Sequence, residues 1–90
     1  MTVMKPALEQ ERVLATISTL CKGDRTVPVA IGAIHERYPD FDVRDLVGHI
    51  QILLSLGLIE NVGRVHDGIS NRFYLTAAGK EYCSTQPHIL

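Results

Sequence analysis

The chain has 90 residues, of which 46% are hydrophobic, and a formal net charge of −1 at pH 7. This length and composition predict one small globular domain over residues 1–90, with about five residues frayed at the start and about six at the end. The near-neutral charge excludes nucleic-acid binding through a strongly basic surface, although not through a local patch. No stretch reaches the about 18 apolar residues of a membrane span, and no signal-peptide core is present, so we expect a cytoplasmic protein without a membrane partner.

Helical spacing of apolar residues predicts two helices in the first part of the chain. The first covers residues 6–22 and buries one apolar stripe: Leu8, Val13, Leu14, Ile17, Leu20 and Cys21. Thr26–Val27 predicts a very short strand. Pro28 then begins a second helix that ends at Tyr38, because Pro39 disfavours helical backbone in the residue before it. The residues expected to face inward here are Val27, Ala30, Ile31, Ile34 and Tyr38.

A third helix is predicted from Val43 to about Leu56. Asp42 is a favoured N-cap, because its carboxylate can accept a hydrogen bond from the unpaired N–H groups of the first turn. Spacings of four and three place one apolar set on the buried face: Leu46, Ile50 and Leu53. Gly57 is expected to end the helix, since glycine readily adopts the left-handed conformation of a C-terminal cap.

The pattern beyond this glycine is typical of a β-hairpin followed by a helix. Residues 58–62 and 72–76 are rich in apolar, aromatic and β-branched side chains, and we predict two paired strands. The loop between them contains Asp67–Gly68, a turn signal. Thr76 is then expected to cap a short last helix that continues to about Tyr82.

Two local motifs carry a family resemblance. They are Leu46-x-x-x-Ile50-x-x-Leu53-x-x-x-Gly57-Leu58-Ile59 and Phe73-Tyr74-Leu75-Thr76-Ala77-Ala78-Gly79-Lys80. Together with the order of the elements, these motifs resemble the winged helix-turn-helix family of small prokaryotic and phage regulators. The resemblance implies an α+β fold, mostly α, with a three-helix core, a two-stranded hairpin wing and a short C-terminal helix.

The resemblance also implies a function. In such regulators the third helix enters the major groove of DNA, and the wing contacts the neighbouring backbone or minor groove. Carried onto this chain, it implies a transcriptional regulator that binds double-stranded DNA as a homodimer. The candidate DNA-binding residues lie before the second helix, on the third helix and on the wing: Arg25, Thr26, Arg44, Val47, Gly48, His49, Gln51, Arg64, His66, Asn71 and Arg72.

The third helix departs from the family pattern in two respects. Arg44 is its one basic residue against Asp42 and Asp45, so few phosphate contacts are expected from it. It also carries more apolar residues than one stripe holds, which either widens the core contact or forms a partner surface. The candidate partner surface comprises Leu8, Ile52, Leu54, Leu56 and Tyr82. The alternative function is therefore a winged-helix module for protein interaction or assembly that does not bind DNA.

Catalytic and ligand chemistry is not indicated by any motif. The four histidines are scattered, outside zinc-ligand spacing, and the glycine-rich loop lacks the lysine of a phosphate-binding loop. Cys21 and Cys83 lie far apart in sequence, which favours two half-buried thiols in a reducing compartment. We therefore expect no enzyme, no metal or other cofactor and no small-molecule ligand.

Overall fold

A computed structural model describes residues 6–66 and 68–85. Within them the chain forms four helices and a three-stranded antiparallel sheet, which confirms an α+β fold, with about half of the chain in helices. The elements are α1 (Leu8–Leu20), β1 (Val29–Ala30), α2 (Ile31–Arg37), α3 (Val43–Ser55), β2 (Ile59–Asn61), β3 (Arg72–Leu75) and α4 (Ala77–Thr85). Of the residues predicted to be frayed, residues 1–5 and 86–90 lie outside the described residues, as does Asp67 of the predicted turn, while Thr85 is the last residue of α4.

The start of α1 is fixed by a side chain inside the helix. Ala7 is extended, with φ −70° and ψ 171°, and its N–H donates to the side-chain oxygen of Gln10 at 2.7 Å. The helix therefore begins at Leu8, two residues after the predicted start at Pro6. At the other end the N–H of Gly23 donates to the carbonyl of Ser18 at 2.9 Å, so the chain turns away close to the predicted position.

The segment before α2 differs from the prediction. The short strand is Val29–Ala30 and not Thr26–Val27, and the helix begins at Ile31 and not at Pro28. The cause is long-range, because β1 pairs with β3 in antiparallel register. Since alternate strand residues face opposite sides, Val29 is buried and Ala30 is exposed. Val27 lies before the strand and is also exposed, so the prediction is wrong for both Ala30 and Val27.

The predicted hairpin is confirmed, and β1 adds a third strand to it. β2 and β3 pair in antiparallel register, with Glu60 opposite Tyr74, and the strand order is β1-β3-β2. Phe73 and Leu75 are buried on the inner face of the central strand, while Arg72 is exposed on its outer face. The sheet therefore has one apolar face, and the helices cover it.

One hydrophobic core joins all the helices to the sheet. Its buried members are Val13, Leu14, Ile17, Cys21, Val29, Ile34, Leu46, Ile50, Leu53, Leu58, Ile59, Phe73, Leu75 and Cys83. The predicted buried face of the third helix is thus confirmed. The predicted stripe of α1 is wrong at Leu8, which is 54% exposed because it begins the helix on its outer side. Both cysteines are buried more deeply than the predicted half-buried thiols.

The end of the hairpin is joined to α3 by the Thr76–Gly79 segment. The Thr76 hydroxyl donates to the carbonyl of Gly57 at 2.6 Å and accepts from the N–H of Gly79 at 3.0 Å, which confirms Thr76 as a cap. A Cβ added to Gly79 would overlap with the carbonyl oxygen of Leu58. The glycine therefore lets α4 pack directly on the backbone where α3 ends. This helix continues to Thr85, beyond the predicted end at Tyr82.

Gly79→Ala is expected to lower the free energy of unfolding by about 3 kcal/mol, because the new methyl group must displace backbone atoms. The matched control is Gly48→Ala, which also lies within a helix but has no heavy atom within 4 Å of the new Cβ. The control is expected to raise stability by about 0.5–1 kcal/mol through helix propensity. Urea denaturation followed by circular dichroism measures both changes, and equal effects at the two sites would contradict the packing argument.

The Cys83 thiol is expected to make stability fall at alkaline pH. Burial raises the pKa of this thiol, so the folded state keeps its proton where the unfolded chain loses it. The stabilising contribution is complete below the unfolded pKa of about 8.5 and is lost progressively as the pH rises above it. Denaturation under reducing conditions at several alkaline pH values measures the decline. Cys83→Ala should flatten it, and an unchanged pH dependence in that variant would refute this assignment.

Candidate nucleic-acid interface

The outward face of α3 is exposed because the opposite face is packed against the core. The Asp42 carboxylate caps the helix by accepting from the N–H of Arg44 at 3.0 Å, as predicted. The buried stripe of this helix lies opposite five exposed side chains: Arg44, Asp45, Gln51, Ile52 and Ser55. Gly48 lies among them with open space where a side chain would begin. The outward face therefore carries one cation, Arg44, and one anion, Asp45, and it has a depression at Gly48, where no side chain projects.

The turn that leads into α3 is held against α1 by a cluster of aromatic and hydroxyl groups. The rings of Tyr38 and Phe41 are stacked with centroids 5.2 Å apart. The hydroxyl of Tyr38 donates to the carbonyl of Arg12 at 2.9 Å, and the imidazole of His35 hydrogen-bonds to the carbonyl of Phe41 at 3.1 Å. These contacts fix the angle at which α3 leaves the turn.

His49 faces α1 and not outward, which corrects its predicted position in the groove-facing set. Its Nδ1 lies 2.6 Å from the side-chain nitrogen of Gln10, and its ring lies 5.9 Å from that of Phe41. Gln10 is only 6% exposed and its oxygen already accepts from Ala7, so its nitrogen donates and Nδ1 accepts. Val47, another candidate, is half-buried.

The additional apolar residues of α3 are explained largely by a wide core contact. Leu54, Leu56 and Tyr82, three members of the candidate partner surface, are partly buried and packed against the core. The other two members are exposed, Leu8 on the outer side of α1 and Ile52, at 41%, on the outward face of α3. The five residues therefore do not form one continuous apolar surface.

The loop between β2 and β3 is held by the side chains of two small polar residues, Asn61 and Ser70. Asn61 accepts from the N–H of Ser70 at 2.9 Å, and the Ser70 hydroxyl donates to the carbonyl of Val62. Two backbone hydrogen bonds join His66 and Ile69 across the tip, at 2.9 and 3.2 Å. In the described part of the loop, two candidate residues are exposed: Arg64 and His66.

The structure brings the start of β3 next to the start of α2. The carbonyl of Asn71 accepts from the N–H of Ile31 at 2.9 Å, and Arg72 lies opposite Ala30 in the sheet. The side chains of Asn71 and Arg72 are both exposed. These two candidates are therefore fixed beside the first turn of a helix whose far end leads into the α2–α3 turn.

Thr26, a candidate DNA-binding residue, already hydrogen-bonds within the chain. Its N–H and its hydroxyl both donate to the carboxylate of Asp24, at 2.9 and 2.6 Å. The hydroxyl and then the backbone hydrogen bond lower the pKa of Asp24. Arg25 beside it is exposed, but this turn follows the C-terminal end of α1. The α3 helix is held near the opposite end of α1, where His49 contacts Gln10.

The candidate residues therefore divide into an α3 group and a hairpin group, with Arg25 and Thr26 on the turn between α1 and β1. Sequence reasoning missed the residues that position the α3 group, above all Gln10 and Tyr38. A signal for Gln10 was present, because glutamine at the third position of a helix is typical of a capping box. No local signal indicated that Tyr38 would reach across to α1.

No family model, curated protein or solved structure matches this chain. The interpretation of the surface therefore rests on its own geometry. None of the helices in residues 6–66 and 68–85 has the length and apolar character to cross a membrane. Across the same described part of the chain, His, Cys, Asp and Glu side chains form no group that could hold a metal ion.

Thr26→Val is expected to raise the pKa of Asp24 towards its ordinary value. The substitution removes the hydroxyl hydrogen bond, which is the largest cause of the lowered pKa, while the backbone hydrogen bond remains. An NMR titration of the Asp24 carboxyl carbon measures the change. Thr85→Val, on α4, serves as the control and should leave that titration unaltered. If the pKa of Asp24 is the same in both variants, the hydroxyl of Thr26 is available to an external phosphate after all.

Proposed function

We propose that this chain is a winged-helix DNA-binding domain, and that it acts as a transcriptional regulator in the form of a homodimer. The observation that carries the proposal is the exposed face of α3, which is held by a fixed turn and accompanied by a hairpin whose loop exposes Arg64. A helix presented in this way beside a hairpin is the arrangement that winged-helix proteins use to read DNA.

The order and pairing of the elements support the fold part of this proposal. A short strand before α2 pairs with the hairpin in the order β1-β3-β2, so the wing is attached to the helix-turn-helix on both sides. Gly57, with φ +74°, ends α3 and leads directly into β2. Gly79 and Thr76 then give a physical reason for the L-T-x-x-G motif that suggested the family.

Base contacts would come from the two long polar side chains on the outward face. The guanidinium of Arg44 can donate two hydrogen bonds to guanine, and the amide of Gln51 can pair with adenine. Gly48 lies between them along the helix and leaves space for the sugar–phosphate backbone or a base edge to approach closely. Asp45 would repel phosphate, so residues outside α3 have to hold this helix in the groove of the DNA.

Phosphate contacts would come mainly from the wing. Arg64 in the loop and Arg72 on the outer face of the sheet are exposed, and Arg72 lies beside the start of α2. A monomer with so few cations is expected to bind DNA weakly, because the electrostatic part of the affinity grows with the number of phosphates that the protein neutralises. Two copies on a two-fold symmetric site would double these contacts, which is why the proposal includes a dimer.

A second candidate function is a protein-interaction module that uses the same face of α3. The observation that favours it is Ile52, which is 41% exposed beside the open space at Gly48. An exposed apolar side chain next to the depression at Gly48 is better suited to contact a helix or strand of a partner protein than to contact a phosphate backbone. The net charge of the outward face, one arginine against one aspartate, is compatible with either function.

Arg44→Ala and Arg64→Ala are each expected to weaken DNA binding by roughly tenfold at low salt, because each removes a cation from the interface. Fluorescence anisotropy with labelled duplexes selected from a random pool measures the affinity. The slope of log affinity against log salt should become shallower by about 0.9 for each phosphate that the variant no longer neutralises. Lys80→Ala, which removes an exposed cation of α4 outside the candidate residues, is the matched control and should change little.

Ile52→Lys separates the two candidate functions, because they predict changes of opposite sign. A new cation on the outward face of α3 should strengthen non-specific DNA binding if that face approaches phosphate. It should instead abolish capture of a protein partner if Ile52 is the centre of a protein interface. Absence of binding to any duplex in the random pool at low salt would rule out the DNA function.

A further inference from the structure

A groove on the outer side of α1 is separate from the candidate DNA interface. It runs between α1 and the end of α2 and has a volume of about 510 Å³. Its lining includes one exposed apolar side chain, one small residue, charged groups of both signs and an aromatic ring: Leu8, Ala15, Glu11, Arg12, Arg37 and Tyr38. A groove of this composition can bind an apolar side chain that is flanked by charge.

The polar groups in the floor of the groove are already hydrogen-bonded within the chain. The Tyr38 hydroxyl donates to the carbonyl of Arg12 at 2.9 Å, and the Thr16 hydroxyl lies within hydrogen-bond distance of both of these oxygen atoms. What the floor offers to a ligand is therefore the methyl group of Ala15 and the ring of Tyr38. The charges at the rim, and not directed hydrogen bonds in the floor, select the occupant.

We propose that the occupant is a second copy of this chain, with the two α1 helices packed antiparallel across a two-fold axis. In this arrangement Leu8 of each copy packs over Ala15 of the partner subunit. The axis then passes between positions 11 and 12, and Glu11 of each copy lies opposite Arg12 of the partner subunit. The inference rests on the proposed homodimer and specifies the surface that forms it.

The spacing along α1 makes this surface self-complementary. Leu8 and Ala15 are seven residues apart, which is about two helical turns or about 10.5 Å, so both can engage at once in an antiparallel pair. A two-fold axis requires that each contact occurs twice with the roles exchanged. Glu11 and Arg12 satisfy this requirement, because they have opposite charges and lie on either side of the axis.

Glu11 retains the capacity for this contact although it interacts within the chain. Burial raises the pKa of Tyr82, and Glu11, which is hydrogen-bonded to it, raises the pKa further. One carboxylate presents about four lone-pair sites, so a guanidinium can bind the remaining ones. The Tyr82 contact also orients the Glu11 side chain, which lowers the entropy cost of pairing.

The size of the surface sets the expected strength of the dimer. α1 has 13 residues and is thus about 20 Å long. One helix pair of this length falls below the about 1,200 Å² of total buried area that stable complexes exceed. We therefore expect a dimer in the micromolar range or weaker that dissociates as salt rises, because its ion pairs lie at a solvent-exposed rim.

Sedimentation equilibrium of the full chain without DNA tests the proposal. Arg12→Glu and Glu11→Lys should each be monomeric, because each places like charges across the axis. An equimolar mixture of the two variants should dimerise, because both cross-axis pairs are then opposite in charge. If both variants are folded by circular dichroism and their mixture stays monomeric, the charge pairing is wrong.

A second pair of variants keeps the test decisive if a charge variant does not fold. Ala15→Arg fills the floor of the groove and should weaken dimerisation at least tenfold, whereas Ala78→Arg, at an exposed alanine of α4 outside the groove, should not. Equal effects of the two substitutions, or a wild-type chain that is monomeric at about 1 mM, far above a micromolar dissociation constant, would overturn the inference. A monomer that still binds selected duplexes would leave the DNA function standing, while a dimer that binds none would remove that function alone.

Discussion

The close contact between Gly79 and the carbonyl of Leu58 is the constraint on which the rest of the structure depends. At this point the end of α3, the first strand of the hairpin and the start of α4 meet, and no side chain separates their backbones. The Thr76 hydroxyl stabilises the same contact, because it donates to the carbonyl of Gly57 and accepts from the N–H of Gly79. The direction of the hairpin relative to α3 is therefore set by backbone contact, so the hairpin and the outward face of α3 keep one relative position.

A second set of contacts orients α3 from its other end. Gln10 bridges the start of α1 to His49, and Tyr38 holds the α2–α3 turn against α1. All of these groups lie on the N-terminal half of α1 or against it. That half therefore has two faces with different roles, an inner one that seats α3 and an outer one that contributes to the groove.

Sequence reasoning succeeded where a structural role depends on neighbours along the chain. The buried face of α3, the cap at Asp42 and the cap at Thr76 follow from local spacing and from the hydrogen-bonding capacity of a few side chains. It failed where the partner is distant in sequence. Which residues before α2 face the core depends on the pairing of β1 with β3. The orientation of the His49 side chain depends on Gln10, which is 39 residues away. Periodicity contains no information about either partner.

The buried amide of Gln10 has a consequence for how the two proposed binding events affect each other. Its oxygen holds the first turn of α1, while its nitrogen holds the middle of α3, so ordering one helix favours the observed position of the other. A partner that rigidifies the first turn of α1 would then raise the affinity of α3 for its target. By thermodynamic reciprocity, the target would strengthen the association of that partner by the same factor. A single glutamine would thus make assembly on the target cooperative.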